Sequence, residues 1–119
     1  MTALERASVG FTTVARVADV SPGTVRVIEV EGRSLCLGHT EDGEWGAIDN
    51  ICTHDGGTLG EGELDDSAVE CPRHGGRFDL FSGRVLALPP VRPVGAYETL
   101  VEGDEVRVRL ASDRLGSER

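Results

Sequence analysis

Aromatic residues are scarce in this sequence: one tryptophan, one tyrosine and three phenylalanines among 119 positions. Basic residues are also in the minority, with 12 lysines and arginines against 21 aspartates and glutamates, a formal net charge of −9. An acidic surface repels phosphate backbones, and so few rings leave little for base stacking, so nucleic acid is not expected as a partner. The small, strongly charged chain favours a monomer.

Long hydrophobic runs are absent as well. The longest uninterrupted apolar stretch is Val85–Leu88, far below the roughly 18 residues that a membrane-spanning helix needs. The first six residues contain neither the apolar core of a secretory signal nor paired arginines, so we expect a cytoplasmic protein without membrane contact. Cysteine occurs only three times, and an odd number argues against a disulfide framework.

Glycine, by contrast, is abundant, with 16 residues, about twice the ordinary usage. Apolar residues mostly alternate with polar ones at a period of two, which is typical of half-buried strands, and no segment has a helical period. The turns predicted between these strands are Glu31–Gly32, Asp42–Gly43, Asp65–Asp66 and Gly103–Asp104. The sequence therefore predicts one small all-β domain, an antiparallel sandwich or barrel.

Two glycine-rich loops interrupt the alternation, and each carries one cysteine and one histidine. Cys52 and His54 lie two positions apart, and Cys71 and His74 lie three apart. Thiolate and imidazole ligands suit zinc or an iron–sulfur cluster better than calcium or magnesium. The flanking glycines favour the cluster, because they let backbone N–H groups approach its bridging sulfides. The alternative is a structural zinc site made of the same four residues, which would hold the loops together without redox chemistry.

The pattern C-x-H, sixteen residues and C-x-x-H, followed by Gly75, Phe78 and Asp79, resembles the Rieske iron–sulfur family. The resemblance implies a Rieske-type antiparallel β-sandwich or barrel that carries one 2Fe–2S cluster between two loops at one tip. The ligands that it implies are Cys52 and Cys71 for one iron, and His54 and His74 for the other, solvent-facing iron.

The same resemblance divides the chain into a Rieske 2Fe–2S domain, residues 10–111, and two short ends. Residues 1–9 and 112–119 lack periodic apolar positions, so we expect both ends to be flexible. The functional segments implied within the domain are the cluster loops, about 51–62 and 71–79, and a proline loop over the cluster, about 88–93, which includes Pro90.

Three features narrow the resemblance to a ferredoxin. The chain is too short for a ring-hydroxylating oxygenase subunit, and outside the motif only His39 remains for the mononuclear iron of such a subunit. Because it has no long apolar run, we expect no membrane anchor of the kind that respiratory Rieske proteins have, and it keeps the ligands that nitrite reductase small subunits lack. The resemblance implies an electron carrier that is not itself an enzyme, between an NAD(P)H-dependent flavin reductase and a ring-hydroxylating oxygenase. A different client, such as iron–sulfur assembly or another oxygenase, stays open.

Four positions in the loops bear on the reduction potential. High-potential relatives link the two loops by a disulfide, and the matching residues here are Gly57 and Arg73. Those relatives also donate hydrogen bonds to cluster sulfurs from a serine and a tyrosine, where this chain has Gly76 and Phe78. A donor to sulfur stabilises the electron-rich reduced cluster, so its loss lowers the potential. We expect a value of about −150 mV.

Charged residues near the first loop would steer a basic partner, although such residues also serve simply to solvate a surface. The acidic residues concerned are Asp55, Glu61, Glu63, Asp65 and Asp66. Because they lie beside the ligands, Asp55 and Arg73 are the candidate docking residues.

Three further residues lie outside the motif. We expect Cys36 to be a buried, inert thiol, His39 to be a surface histidine and Trp45 to pack in the core.

Overall fold

A computed structural model of the chain describes residues 10–52, 56–72, 75–88 and 92–110. The two ends that we expected to be flexible, 1–9 and 112–119, lie outside the described residues. The described residues form ten strands and two short 3-10 helices. The strands are β1 (Phe11–Arg16), β2 (Thr24–Val30), β3 (Arg33–His39), β4 (Trp45–Asp49), β5 (Glu63–Asp65), β6 (Ala68–Glu70), β7 (Arg77–Asp79), β8 (Val85–Ala87), β9 (Ala96–Glu102) and β10 (Glu105–Arg109). The 3-10 helices are η1 (Val17–Asp19) and η2 (Leu59–Glu61).

The strands form two sheets in which every pair is antiparallel. The larger sheet has the order β1-β10-β9-β4-β3-β2, and the smaller has the order β5-β6-β7-β8. The larger sheet is curled, as shown by the contact between its two edge strands, β1 and β2. The predicted all-β antiparallel fold is therefore confirmed. Within the described ranges, no helix has the length and apolar character needed to cross a membrane.

Tight turns join the strands mostly where the sequence predicts them. Glu31 and Gly32 connect β2 to β3 with φ values of 52° and 83°, the two left-handed residues of the hairpin turn that matches strand twist. The β5–β6 turn, however, is shifted by one residue from its predicted place. Asp65 still pairs with Ala68, so the turn residues are Asp66, at φ 56°, and Ser67.

The second predicted loop, residues 71–79, is shorter than expected because its last three residues form β7. This strand pairs with β6 and with β8, and neither β7 nor β8 was predicted. Each has only three residues, as β5 and β6 also do, so pairing with neighbouring strands identifies them and a periodic pattern does not.

Apolar residues form two cores that share the strands β3 and β4. Leu35, Leu37 and Ala47 face the core inside the curled sheet. Cys36 and Ile48 point to the opposite face, into a core between the two sheets. Both faces of these central strands are therefore buried, and the second core extends to the cysteines of the two loops.

The three residues outside the motif gave mixed results. Cys36 has no exposed surface, and burial raises the pKa of its thiol to about 12, so the expected buried thiol is confirmed. Trp45 is partly buried against the core of the curled sheet. The expectation of a surface histidine was wrong: His39 is 8% exposed, its ring stacks on Trp45 at 4.0 Å between centroids, and its Nδ1 lies 2.8 Å from the carbonyl oxygen of Val20. Trp45, the cross-strand partner of His39 on β4, and the backbone at Val20 cover the histidine ring.

Candidate metal centre

The described ends of the two cysteine loops have the same pattern of backbone hydrogen bonds. In the first, the N–H of Cys52 donates to the carbonyl of Gly57 at 2.8 Å, and the N–H of Gly56 donates back to the carbonyl of Cys52 at 2.8 Å. In the second, the N–H of Cys71 donates to Gly76 at 2.7 Å, and the N–H of Gly75 donates to Cys71 at 3.2 Å. In both cases a cysteine begins a turn that a Gly-Gly pair closes four and five residues later.

Glycine is the favoured residue at the first position of each of these pairs. Gly56 has a φ of +76° and Gly75 a φ of +78°, a left-handed conformation that costs a residue with a side chain about 1–2 kcal/mol. The two glycines therefore have the same left-handed conformation, although the spacing from cysteine to histidine differs by one residue between the two loops.

Both cysteines belong to the core between the two sheets. Cys52 is 2% exposed and Cys71 is 1% exposed, and both pack in the same apolar cluster as Phe78 and Leu59. Two shielded sulfur atoms, presented by matching loops that arise from one core, fit the two thiolate ligands of an iron–sulfur centre. In the described residues, Cys52 and Cys71 are the side chains of the predicted set that can hold such a centre.

A side-chain bridge closes the first loop at its base. Asn50, two residues before Cys52, accepts a hydrogen bond from the N–H of Gly60 at 2.6 Å. Its amide nitrogen donates to the hydroxyl of Ser34 on β3 at 2.9 Å. A Cβ at position 60 would lie 2.5 Å from Cγ2 of Val27, so glycine is needed there. Asn50 thus joins the two ends of the loop to each other and to the larger sheet.

The end of the first loop lies directly on the strand that leads to the second. A Cβ at Gly62 would lie only 1.9 Å from the carbonyl oxygen of Glu70, the residue before Cys71. The side chain that glycine lacks is thus what allows this close approach. The glycines at 60 and 62 therefore serve packing between segments, a role that the sequence does not predict for the glycines flanking the ligands.

A carboxylate connects the first loop to the chain that follows the proline segment. Asp49 accepts hydrogen bonds from the N–H of Gly95 at 2.7 Å and from the hydroxyl of Tyr97 at 2.5 Å. Its own N–H donates to the carbonyl of Gly95 at 2.9 Å. Asp49, three residues before Cys52 in the sequence, therefore fixes the position of the residues that follow the predicted proline loop.

Charged side chains lie beside the second loop. Arg77 forms ion pairs with Glu70 at 3.3 Å and with Asp65 at 3.2 Å. Next to them is a cleft of about 310 Å³, lined by Glu61, Gly62, Glu63, Glu70, Cys71, Pro72 and Gly75. One side of the centre is therefore predominantly acidic.

The structure describes only some of the predicted site residues. Gly57 and Gly76 are buried, and each accepts the N–H bond of its cysteine; Phe78 has no exposed surface. The predicted residues outside the described ranges are His54, Asp55, Arg73, His74 and Pro90.

Several residues that position the site were missed from the sequence. Asp49 and Asn50 carried a weak signal, as two polar residues directly before the first cysteine loop. Gly62, Glu70 and Tyr97 carried none, because their roles depend on partners in other parts of the chain.

Comparison with known proteins agrees with this geometry. The family model described as "Rieske [2Fe-2S] domain" matches residues 10–98. The ferredoxin component of the naphthalene 1,2-dioxygenase system of Pseudomonas aeruginosa is 38% identical over 93 residues, which is 78% of this chain and 88% of the relative. The ferredoxin of carbazole 1,9a-dioxygenase from Nocardioides aromaticivorans IC177 superposes with a TM-score of 0.78 at 36% identity, covering 83% of this chain and 96% of that one.

A further solved structure, a complex of reduced oxygenase and oxidised ferredoxin in carbazole 1,9a-dioxygenase, matches with a TM-score of 0.77 at 34% identity, over 84% of this chain and 93% of that one. The relatives with these names are electron-transfer components rather than catalytic oxygenases. The matched domain includes both cysteine loops, and the cofactor of the family is a Rieske 2Fe–2S cluster. This chain belongs to the Rieske [2Fe-2S] domain family.

Proposed function

We propose that the protein is a cytoplasmic, low-potential one-electron carrier that receives electrons from an NAD(P)H-dependent flavin reductase and delivers them to a ring-hydroxylating oxygenase. The observation that carries this proposal is the pair of matching loops, each presenting a buried cysteine. The bound cluster supplies a one-electron couple. The chain supplies the ligands, the packing that shields them and the surface that meets partners.

Cys52 and Cys71 are the proposed ligands of the inner iron, and His54 and His74 those of the outer iron. Burial of the two cysteines supports the first assignment, because thiolates inside a core are shielded from water and from exchange. The histidines are assigned from the motif, since each follows its cysteine within the same loop. Imidazole ligands are neutral and partly polar, which suits the side of the centre where electrons enter and leave.

The expected low potential, about −150 mV, follows from what surrounds the sulfurs. Phe78 is fully buried in the core that contains both cysteines, and it has no hydroxyl to donate. Gly76 is buried and has no side chain. Both features remove hydrogen bonds that would stabilise the reduced form, and Gly57 and Arg73 cannot form a disulfide between the loops.

The partners are proposed from the names of the relatives. The naphthalene and carbazole relatives are ferredoxin components of dioxygenase systems, and one of the structural neighbours is a ferredoxin in complex with its oxygenase. A carrier of this kind has no site for the aromatic substrate, so its specificity lies in the two docking events.

Low-temperature EPR of the dithionite-reduced protein tests the cofactor and its ligands. We expect a rhombic signal with a mean g below the free-electron value. Cys52→Ser and Cys71→Ser should lose it, and Cys36→Ser is the matched control because Cys36 is equally buried but lies in β3. Stopped-flow reduction by NADH through the flavin reductase of a dioxygenase system then tests the carrier role. A colourless, zinc-containing protein, or a cluster that this reductase does not reduce, would contradict the proposal.

The docking assignment has its own test. If Asp55 and Arg73 contact partners, then Asp55→Asn and Arg73→Gln should change how the rate of electron transfer depends on ionic strength, with little effect at high salt. Asp104→Asn is a control, because Asp104 lies in the β9–β10 turn and pairs with Arg16. Identical salt dependence in all three variants and the parent would remove both residues from the interface.

A further inference from the structure

A row of charged residues crosses the smaller sheet beside the second loop. Glu63 pairs with Glu70 in the β5–β6 register, and Glu70 pairs with Arg77 in the β6–β7 register. Directly opposed residues of neighbouring strands share one face of a sheet, so the three side chains stand in one line. Two of them are acidic, and like charges opposite each other are unfavourable. Arg77 is the cation that balances this row.

The guanidinium group of Arg77 divides its contacts between two carboxylates. Its Nη2 lies 3.3 Å from Oε1 of Glu70, and its Nη1 lies 3.2 Å from Oδ2 of Asp65. About a third of the side chain of Arg77 and of Glu70 is exposed, whereas Asp65 is 67% exposed. The Glu70–Arg77 pair is therefore the better shielded part of the group, and its charges are screened less by salt.

This pair brackets the second cysteine loop. Glu70 directly precedes Cys71, and Arg77 directly follows Gly76, whose carbonyl accepts the N–H bond of Cys71. Oε2 of Glu70 faces the loop, at 3.5 Å from where a Cβ on Gly75 would lie. A negative and a positive side chain thus stand at the two ends of a six-residue loop that presents one proposed ligand at its start.

Two charges of opposite sign at this place act in opposite directions on a redox centre. Reduction adds one electron, and so one negative charge, with the reductant as its source. A nearby cation stabilises the added charge and a nearby anion opposes it, the more so where water is partly excluded. A pair that served only to hold the loop would loosen it whichever partner was removed, so both removals would act in the same direction.

We infer that Glu70 and Arg77 set the reduction potential of the cluster from outside its ligands, with Arg77 raising it and Glu70 lowering it. This inference rests on the proposed function, because it assumes a redox centre held by the second loop. It adds two residues that no ligand motif identifies and that act through charge rather than through a bond to the metal or to sulfur.

Spectroelectrochemical titration of the cluster-loaded protein tests the inference. Arg77→Gln should lower the potential and Glu70→Gln should raise it. Each should change the ratio of reduced to oxidised protein at a fixed ambient potential by about three- to tenfold, which is about 30–60 mV at 59 mV per decade for one electron. The double variant should return close to the parent, and Arg77→Lys, which keeps the charge, should stay within twofold of it.

Arg16→Gln is the matched control, because it removes the same charge from an exposed ion pair with Asp104 on the other sheet, and it should shift the ratio by less than twofold. The inference is overturned if Glu70→Gln and Arg77→Gln shift the potential in the same direction, or by no more than this control. If Arg77→Gln does not retain the cluster, Glu70→Gln decides alone: an unchanged or lowered potential refutes the inference. A parent protein without the EPR signal would instead refute the proposed function.

Discussion

Gly62→Ala is a direct test of how the two cysteine loops are packed together. Gly62 follows η2 with a φ of −89°, a value that any residue adopts, so alanine brings no backbone strain. Its Cβ, however, would lie 1.9 Å from the carbonyl oxygen of Glu70 and 3.1 Å from the carbonyl carbon. Both obstacles are backbone atoms that no rotamer change can move. The two chain segments must therefore separate by about 1 Å, since contacts under 3.0 Å are essentially never found.

The separation would act where β5 and β6 begin to pair, at Glu63 and Glu70. We expect one or two backbone hydrogen bonds to be lost, each worth about 1 kcal/mol net, and about 1–3 kcal/mol of overpacking strain. The free energy of unfolding should fall by about 2–5 kcal/mol, a large share of the roughly 5–15 kcal/mol of a domain. At about 4 °C for each kcal/mol, the melting temperature should fall by about 8–20 °C.

Thermal unfolding of the cluster-loaded protein, followed by far-UV and visible circular dichroism, measures this effect. Gly43→Ala is the control, because Gly43 has a φ of +91° and nothing within 4 Å of an added Cβ. That variant carries only the cost of a left-handed alanine, about 1–2 kcal/mol. The visible signal of Gly62→Ala should be lost at a lower temperature than that of the control. A melting temperature of Gly62→Ala that equals or exceeds that of Gly43→Ala would refute the close contact between Gly62 and the Glu70 carbonyl.

Three further predictions concern stability. Burial raises the pKa of the Cys36 thiol from 9.0 to about 12 in the folded protein. The thiol of the unfolded chain therefore ionises first, and the free energy of unfolding falls above pH 9 by about 1.4 kcal/mol per pH unit. Cys36→Ala should reduce that slope in denaturant titrations between pH 8 and 11, and an unchanged slope would contradict the burial of Cys36. Asn50→Ala removes the acceptor of the Gly60 N–H and should lower the free energy of unfolding, measured in urea, by about 1–3 kcal/mol. Ser34→Ala removes only the hydrogen bond from Asn50 to the Ser34 hydroxyl, so a smaller loss for Asn50→Ala than for Ser34→Ala would be evidence against the bridge. His39→Phe keeps a ring on Trp45 but loses the contact with the Val20 carbonyl, so we expect a loss of about 1–3 kcal/mol, and no loss would mean that the contact is not a hydrogen bond.

Local features of the sequence determined the hairpins and the two loops. The turn at Glu31–Gly32 could be predicted because left-handed backbone depends on the residues in the turn itself. The cysteine loops could also be predicted, because their clustered glycines interrupt the period of two at a definite place in the chain. Recognition of the family depended on the spacing of these loops, which is also a local property of the chain.

Burial of the central strands could not be predicted in the same way. A period of two assigns one face to the core, but β3 is buried on both faces, from Leu35 to His39. His39 was expected at the surface because it ends this strand next to a predicted turn. Its cover comes from Trp45 and from the Val20 carbonyl, and the pairing of β3 with β4 and the path of the chain before β2 exist only in the folded molecule.

What the sequence by itself determined is therefore the all-β class, most of the turns and the two cysteine loops, because each depends on residues a few positions apart. Only the tertiary structure decided how those loops are held: Asn50 bridging to Gly60, Gly62 against Glu70, and Arg77 between two carboxylates. These contacts join chain segments whose approach depends on the packing of two sheets, and no local pattern encodes the distance between their atoms.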